Sequence, residues 1–176
     1  HGLNTLEHQP QKVAAMEGLW ETQEGVPLVL FAIPDEESRS NKYAIEVPKL
    51  ASLILTHELD GELQGLNDFP DEHPPVAPVF FSFRVMVGLG FTMLLVAWWC
   101  SFTLVKKRAM STVQLITLIS MTFAGWIATL AGWYVTEIGR QPYLVSGVLK
   151  TADAVTTIAS ENVLLTFVLY MTMYIV

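Results

Sequence analysis

The sequence predicts an all-α integral membrane protein: a fragment of a transmembrane helix bundle, with two full spans and one truncated span, preceded by an extracytoplasmic loop segment. Three observations carry this expectation. Of the 176 residues, 52% are hydrophobic and 15% are charged, whereas soluble domains have about a quarter charged. The charge is also divided along the chain. Residues 1–79 hold four basic and fourteen acidic side chains, a net of −10, and residues 80–176 hold six basic and three acidic, a net of +3. Finally, two stretches carry no charge at all, 85–105 with 21 residues and 109–136 with 28. Each exceeds the roughly 20 apolar residues that a helix needs to cross the hydrocarbon core.

The elements follow in order. Residues 1–79 form the expected loop segment. Within it, Pro10 suits the first turn of a helix, where its missing N–H costs nothing, and Val13, Met16 and Trp20 recur at helical spacing over about three turns. Apolar stretches at 26–33 and 43–54 are broken by Pro27, Pro34 and Pro48, and the acidic, Pro-rich part at 57–78 predicts irregular structure. An ordered loop is expected here more than a compact domain. Spans are expected at 80–106 and 113–139, joined by a turn at 107–112, then a connection at 140–158 and a truncated span at 159–176. The last uncharged run, 162–176, has 15 residues; at about 1.5 Å each it falls short of about 30 Å of hydrocarbon. With His1 in place of an initiator Met and no signal-like opening, the chain reads as a piece of a longer membrane protein.

Lys106, Lys107 and Arg108 form the basic cluster of the turn between the first two spans. The positive-inside rule puts that turn in the cytoplasm and the acidic front segment on the opposite, periplasmic or exterior, side. No basic stripe suits several phosphates, so nucleic acid is not an expected partner. Cys100 is the single cysteine, which excludes an internal disulfide framework, and no Cys/His spacing suits zinc. No internal repeat is present.

Several residues have both a structural and a chemical reading. Arg84, at a membrane boundary, suits a snorkelling anchor, and Met86 suits packing bulk. Alternatively, the Met86 thioether is an axial haem ligand and Arg84 pairs a propionate, reaching round from a frayed helix end. Glu137 and Arg140 are three apart and share a helix face with Trp133, as an interfacial ion pair or as a functional acid in a span. Gly125, Ala128 and Gly132 allow close approach by another helix or a flat cofactor. Lys12 and Glu17, five apart, are two separate polar groups: a solvated face, or a docking helix on which Glu17 takes a proton from a hydrophobic reductant and Lys12 hydrogen-bonds its oxygen. His1, His8, His57 and His73 read as solvated loop residues outside the spans.

The motif at 11–21 containing Lys12, Met16, Glu17, Gly18 and Trp20, then Phe83, Arg84, Val85 and Met86, then Gly132 and Trp133 through Glu137 to Gly139, Arg140, Gln141 and Pro142, closely resembles subunit I of the cytochrome bd family of quinol oxidases. Tyr143 stands where that family usually has Trp, and the short stretch before Phe83 resembles its short-loop branch. The resemblance implies a quinol-binding loop at 1–79, followed by the seventh, eighth and part of the ninth helix of a mostly helical subunit.

By the same resemblance, Lys12 and Glu17 match residues implicated in quinol oxidation. Met86 matches an axial ligand of the low-spin haem b, with Arg84 beside it. Glu137 matches the acid at the high-spin haem b, near Trp133 and Arg140. The implied activity is quinol oxidation coupled to reduction of dioxygen to water, contributing to a proton gradient, with haem d or a further haem b at the oxygen site. The implied partners are the N-terminal half of subunit I, which bears the histidine ligands and proton-path carboxylates, subunit II, a small accessory subunit, membrane quinol and dioxygen. Two alternatives stand: the cyanide-insensitive relative with haem b in place of haem d, and a non-catalytic membrane scaffold or transporter segment.

Overall fold

The computed structural model describes residues 2–154 and 157–175. His1, one of the histidines assigned to loops, lies outside the described residues, as do 155, 156 and 176. The chain divides into two units, 1–142 and 143–176.

The first unit begins with α1, Gly2–His8, and α2, Pro10–Glu17. Pro10 opens α2 as expected, but the helix stops at Glu17, after little more than two turns, because Gly18 takes a left-handed conformation with φ 67°. The Leu19 N–H then returns to the Ala14 carbonyl at 2.9 Å, a glycine stop that ends helical pairing. Trp20 therefore lies beyond the helix, and the expected third turn does not form.

The proline-broken stretches that follow form a hairpin that spacing did not suggest. Strand β2, Leu28–Asp35, pairs antiparallel with β3, Ser40–Val47, with Val29 opposite Glu46 and register shifts around Phe31. Pro34 is tolerated because a two-stranded ribbon consists of edges. Short β1, Gln23–Glu24, pairs with β4, Glu62–Leu63, around α3, Leu50–Thr56. From 57 to 75 the remainder is turns and one 3-10 turn at Leu66–Asp68, in keeping with its proline content.

These pieces enclose a buried cluster including Ala14, Ala15, Trp20, Val26, Leu66 and Val79. The front segment is accordingly more compact than the loop expected from its sequence. Its core is completed by the next helix, α4, Val76–Val105. Val76, Val79 and Phe80 are fully buried in it, while Phe91, Trp98 and Phe102 further along are exposed. The Glu36 carboxylate, in the hairpin turn, accepts the Val76 N–H at 2.7 Å, satisfying a donor that the helix start leaves free.

At 30 residues and mean hydropathy 2.0, α4 is long and apolar enough to cross a membrane. So is the stretch Thr112–Ile138, at 27 residues and 1.7. It comprises α5, Thr112–Ser120, a 3-10 turn at Met121–Phe123, and α6, Ala124–Ile138. Ser111 and Gln114 form a reciprocal cap at its start, and Gln114 also donates to Thr103 of α4 at 2.6 Å. Helix α6 packs back along α4 and buries Ala124, Ala131 and Val135. The second unit holds a ribbon of β5, Tyr143–Val145, and β6, Leu149–Lys150, then α7, Ser160–Ile175, of 16 residues.

Gly18→Ala tests the turn after α2. A Cβ there would lie 2.9 Å from the Phe80 ring, on a backbone with φ +67°. The expected result is a loss of about 1 kcal/mol or more, read as a lower unfolding temperature of the assembled protein with earlier protease cutting near residues 10–30.

Candidate functional site

The site is assembled where α2 and the hairpin meet α4. Arg84 lies two turns inside α4, not at a frayed end, and its guanidinium is turned into the front segment. Its Nη1 donates to the Met16 carbonyl at 2.6 Å and the Phe80 carbonyl at 3.1 Å, and its Nη2 donates to the Val29 carbonyl. The group also stacks over the Phe80 ring at 3.2 Å, a cation–π contact. Arg84 thus ties together the end of α2, the start of β2 and its own helix, which is more than a snorkelling anchor does.

Glu17, the last residue of α2, is 5% exposed, so it is not part of a solvated face. Burial raises its pKa to about 7, with the Arg84 charge opposing the rise. A carboxylate taken from water disfavours its ionised form, and a nearby cation restores only part of the loss. Glu17 lines a polar crevice of about 210 Å³ between the turn after α2 and the hairpin.

Lys12 faces elsewhere. A Cβ on Gly139 would lie 3.0 Å from the Lys12 stem, so that glycine lets the side chain cross the end of α6. Burial lowers the Lys12 pKa, Arg140 lowers it further, and Glu137 acts in the opposite sense. Glu137 and Arg140 form the ion pair expected from their spacing, while Trp133 is exposed beside Tyr134. Lys12, Met16, Met86, Gly132 and Val135 line one cavity of about 350 Å³. The structure therefore joins Lys12 to the Met86 side and to the Glu137–Arg140 pair, and separates it from Glu17. Of the small residues, Gly132 is the one that matters at Met86: a Cβ there would sit 2.9 Å from the sulfur.

The third crevice, about 230 Å³ and apolar, lies along Leu28, Leu30, Phe83, Val87 and Phe91 and reaches Arg84 and Val29. It shares Phe83 with the Met86 cavity and Val29 with the Glu17 crevice. Asn41 of β3 went unnoticed in the sequence, where nothing marks it. Its Oδ1 accepts the Trp20 indole N–H at 3.0 Å and its Nδ2 donates to the Gly18 carbonyl at 2.8 Å, so it holds the turn behind Glu17.

A haem fits part of this arrangement. The Met86 thioether, a soft uncharged donor of the kind that ligates haem iron, borders an apolar cavity. Among the described residues, the buried polar side-chain atoms without a partner are Gln9 Oε1, Glu17 Oε2, Arg84 Nε and Arg140 Nε. Each of the two arginines thus keeps one donor for an anionic group. Among the described residues no cluster of three His, Cys, Asp or Glu that could hold a metal occurs, and His8, His57 and His73 lie outside both long apolar helices.

A thioether, two arginines each with an unpartnered Nε and a buried carboxylate gather where long apolar helices meet a folded segment of a mostly helical chain. The family model described as cytochrome bd terminal oxidase subunit I matches residues 1–176, and the chain belongs to that family.

Similar proteins include the putative cytochrome bd menaquinol oxidase subunit I of Bacillus subtilis, 36% identical over 167 residues, covering 92% of this chain and 37% of that protein. Cytochrome bd-II ubiquinol oxidase subunit 1 of Escherichia coli is 26% identical over 237 residues, covering 94% of this chain and 46% of that protein. The structure of the bd oxidase from Geobacillus thermodenitrificans matches with a TM-score of 0.80 and 34% identity, over 99% of this chain and 41% of that one. The chain thus spans less than half the length of these relatives.

Arg84→Leu removes three donated bonds at once. The expected outcome is faster amide hydrogen exchange at 13–19 and 28–32, with exchange in 90–104 unchanged, measured by mass spectrometry on the assembled protein.

Proposed function

We propose that this chain supplies the quinol-oxidising part of a respiratory oxidase of the bacterial cytoplasmic membrane, together with one axial ligand of its low-spin haem b. The observation that carries the reading is Glu17: a buried carboxylate with an unpartnered oxygen and a pKa near 7, held beside Arg84 on the helix that bears Met86. A general base works best when its pKa lies near the working pH.

The apolar crevice along Leu28 and Phe91 suits the ring of a membrane quinol. At Val29, which this crevice shares with that of Glu17, Glu17 takes a proton from a quinol hydroxyl as the ring is oxidised. At Phe83, which the crevice shares with the Met86 cavity, Lys12 donates a hydrogen bond to an oxygen on that side. Haem, when bound, supplies the one-electron chemistry. Met86 would hold it through the thioether, Arg84 Nε–H would be free to pair one of its carboxylates, and Glu137, with Trp133 and Arg140 beside it, would serve a high-spin haem b. Arg84 keeps Glu17 and the Met86 helix in fixed relation by binding the carbonyls on both sides. Any further donor to that haem would come from the rest of the subunit.

In the assembled enzyme the partners are the rest of subunit I, subunit II and an accessory subunit, with dioxygen reduced to water and a proton gradient built. The turn at 107–112 faces the cytoplasm and residues 1–79 the opposite side, in accord with the Lys106, Lys107 and Arg108 cluster. The oxygen site would take haem d or, as in the cyanide-insensitive relative, a further haem b. A scaffold segment does not explain an unpartnered buried carboxylate oxygen beside Arg84, whose Nε is itself unpartnered.

Two measurements test this. The kcat/KM for quinol should rise with pH through about 7, because Glu17 must be ionised to accept a proton; in Glu17→Gln that limb should vanish along with most of the activity. Met86→Leu in the whole subunit should remove the low-spin haem b bands while the protein still inserts. An unchanged low-spin spectrum would overturn the ligand assignment.

A further inference from the structure

Quinol oxidation leaves Glu17 with a proton that must depart before the carboxylate can act again. A quinol gives up two electrons and two protons in becoming quinone. A bound haem would take the electrons one at a time, and the protons need a route of their own.

The surroundings of Glu17 limit that route. On one side is Arg84, whose guanidinium carries only donors and stays protonated, so it accepts nothing. The carbonyls of Met16 and Val29 already receive its bonds. At Val29 the crevice of Glu17 meets the apolar crevice, the seat proposed for the quinol itself, which has no titratable lining group other than Arg84 to carry a proton onward. On the other side is the polar crevice of about 210 Å³, with Gln23 and Asn41 in its wall and Glu21, Arg39 and Glu46 exposed. That volume has room for several water molecules, and polar walls are what keep water in a cleft.

We propose that this crevice is the exit by which protons taken up at Glu17 reach bulk water, with Glu21 and Glu46 as acceptors at its mouth. The unpartnered Oε2 of Glu17 is the inner end of the path. Asn41 is a fixed wall: its oxygen and nitrogen are committed to Trp20 and Gly18, so it keeps the cleft open without itself taking the proton. Glu46 is placed by the hairpin register opposite Val29, the residue that separates the apolar from the polar crevice. Arg39 lies in the same cleft. Substrate thus comes from the apolar side, and its protons leave from the opposite, aqueous side.

The inference rests on the proposed role of Glu17, and the experiment separates the two. The assembled oxidase is purified with Glu21→Gln and Glu46→Gln together, and separately with Glu17→Gln. In weak buffer the double variant should lose turnover by about tenfold with KM for quinol unchanged. Added imidazole, a small proton carrier, should restore the rate. Glu17→Gln should be inactive toward quinol while dithionite still reduces its haem.

Full quinol oxidation by Glu17→Gln would overturn the role of Glu17 and the exit together. An inactive Glu17→Gln beside a double variant that matches the parent at every buffer strength would overturn the exit alone. So would a loss that imidazole leaves unchanged. Should the double variant lack haem bands, the single variants, each at an exposed position, carry the same comparison.

Discussion

The Arg84 guanidinium is the constraint on which the rest of the site depends. It collects the carbonyls of Met16, Phe80 and Val29 and lies over the Phe80 ring. A cation in such surroundings is expensive unless its donors are satisfied. Carbonyl oxygens satisfy two of the nitrogens without neutralising the charge, so the charge remains available to Glu17. The same contacts hold the end of α2 and the start of β2 against α4, and so a contact between folding elements also sets the electrostatics of the proposed base.

Helix α4 has two environments along its length. Its first turns complete the core of the front segment through Val76, Val79 and Phe80, and its later turns expose Phe91, Trp98 and Phe102. Glu36 caps its start from the hairpin turn. The folded segment and the apolar helix are therefore one continuous body, in which the charge of Arg84, two residues before Met86, acts on Glu17. Gly18 belongs to the same arrangement, because its left-handed turn and missing Cβ let the Phe80 ring lie against the backbone after Glu17.

The three crevices give this geometry a chemical order. The apolar one is central, sharing Phe83 with the cavity that Met86 and Lys12 line and Val29 with the polar cleft of Glu17. In the proposed reaction a two-electron, two-proton donor at the centre sends electrons one way and protons the other. Dividing the products between separate paths lets a buried carboxylate with a pKa near 7 turn over without releasing its proton toward the apolar helices. The family likeness extends over the whole chain, while the chain spans under half of its relatives.

Much of the fold was legible in the sequence because it depends on local composition. Uncharged runs marked the long helices, the basic cluster marked the turn between them, and Pro10 marked the start of α2. The spacing of Glu137 and Arg140 foretold their ion pair, since three residues along a helix always bring side chains together. The motifs around Lys12, Met86 and Arg140 carried the family. What only tertiary structure decided were the pairings between distant segments. The hairpin was hidden by prolines that a two-stranded ribbon tolerates, and Asn41 matters only because β3 brings it to Trp20. Arg84 turned inward to carbonyls supplied by α2 and β2, and Lys12 crossed Gly139 to leave Glu17 in a crevice of its own. Local periodicity determines which elements form; the partners of a buried charge are set by contacts between residues tens of positions apart, and no sequence spacing records those.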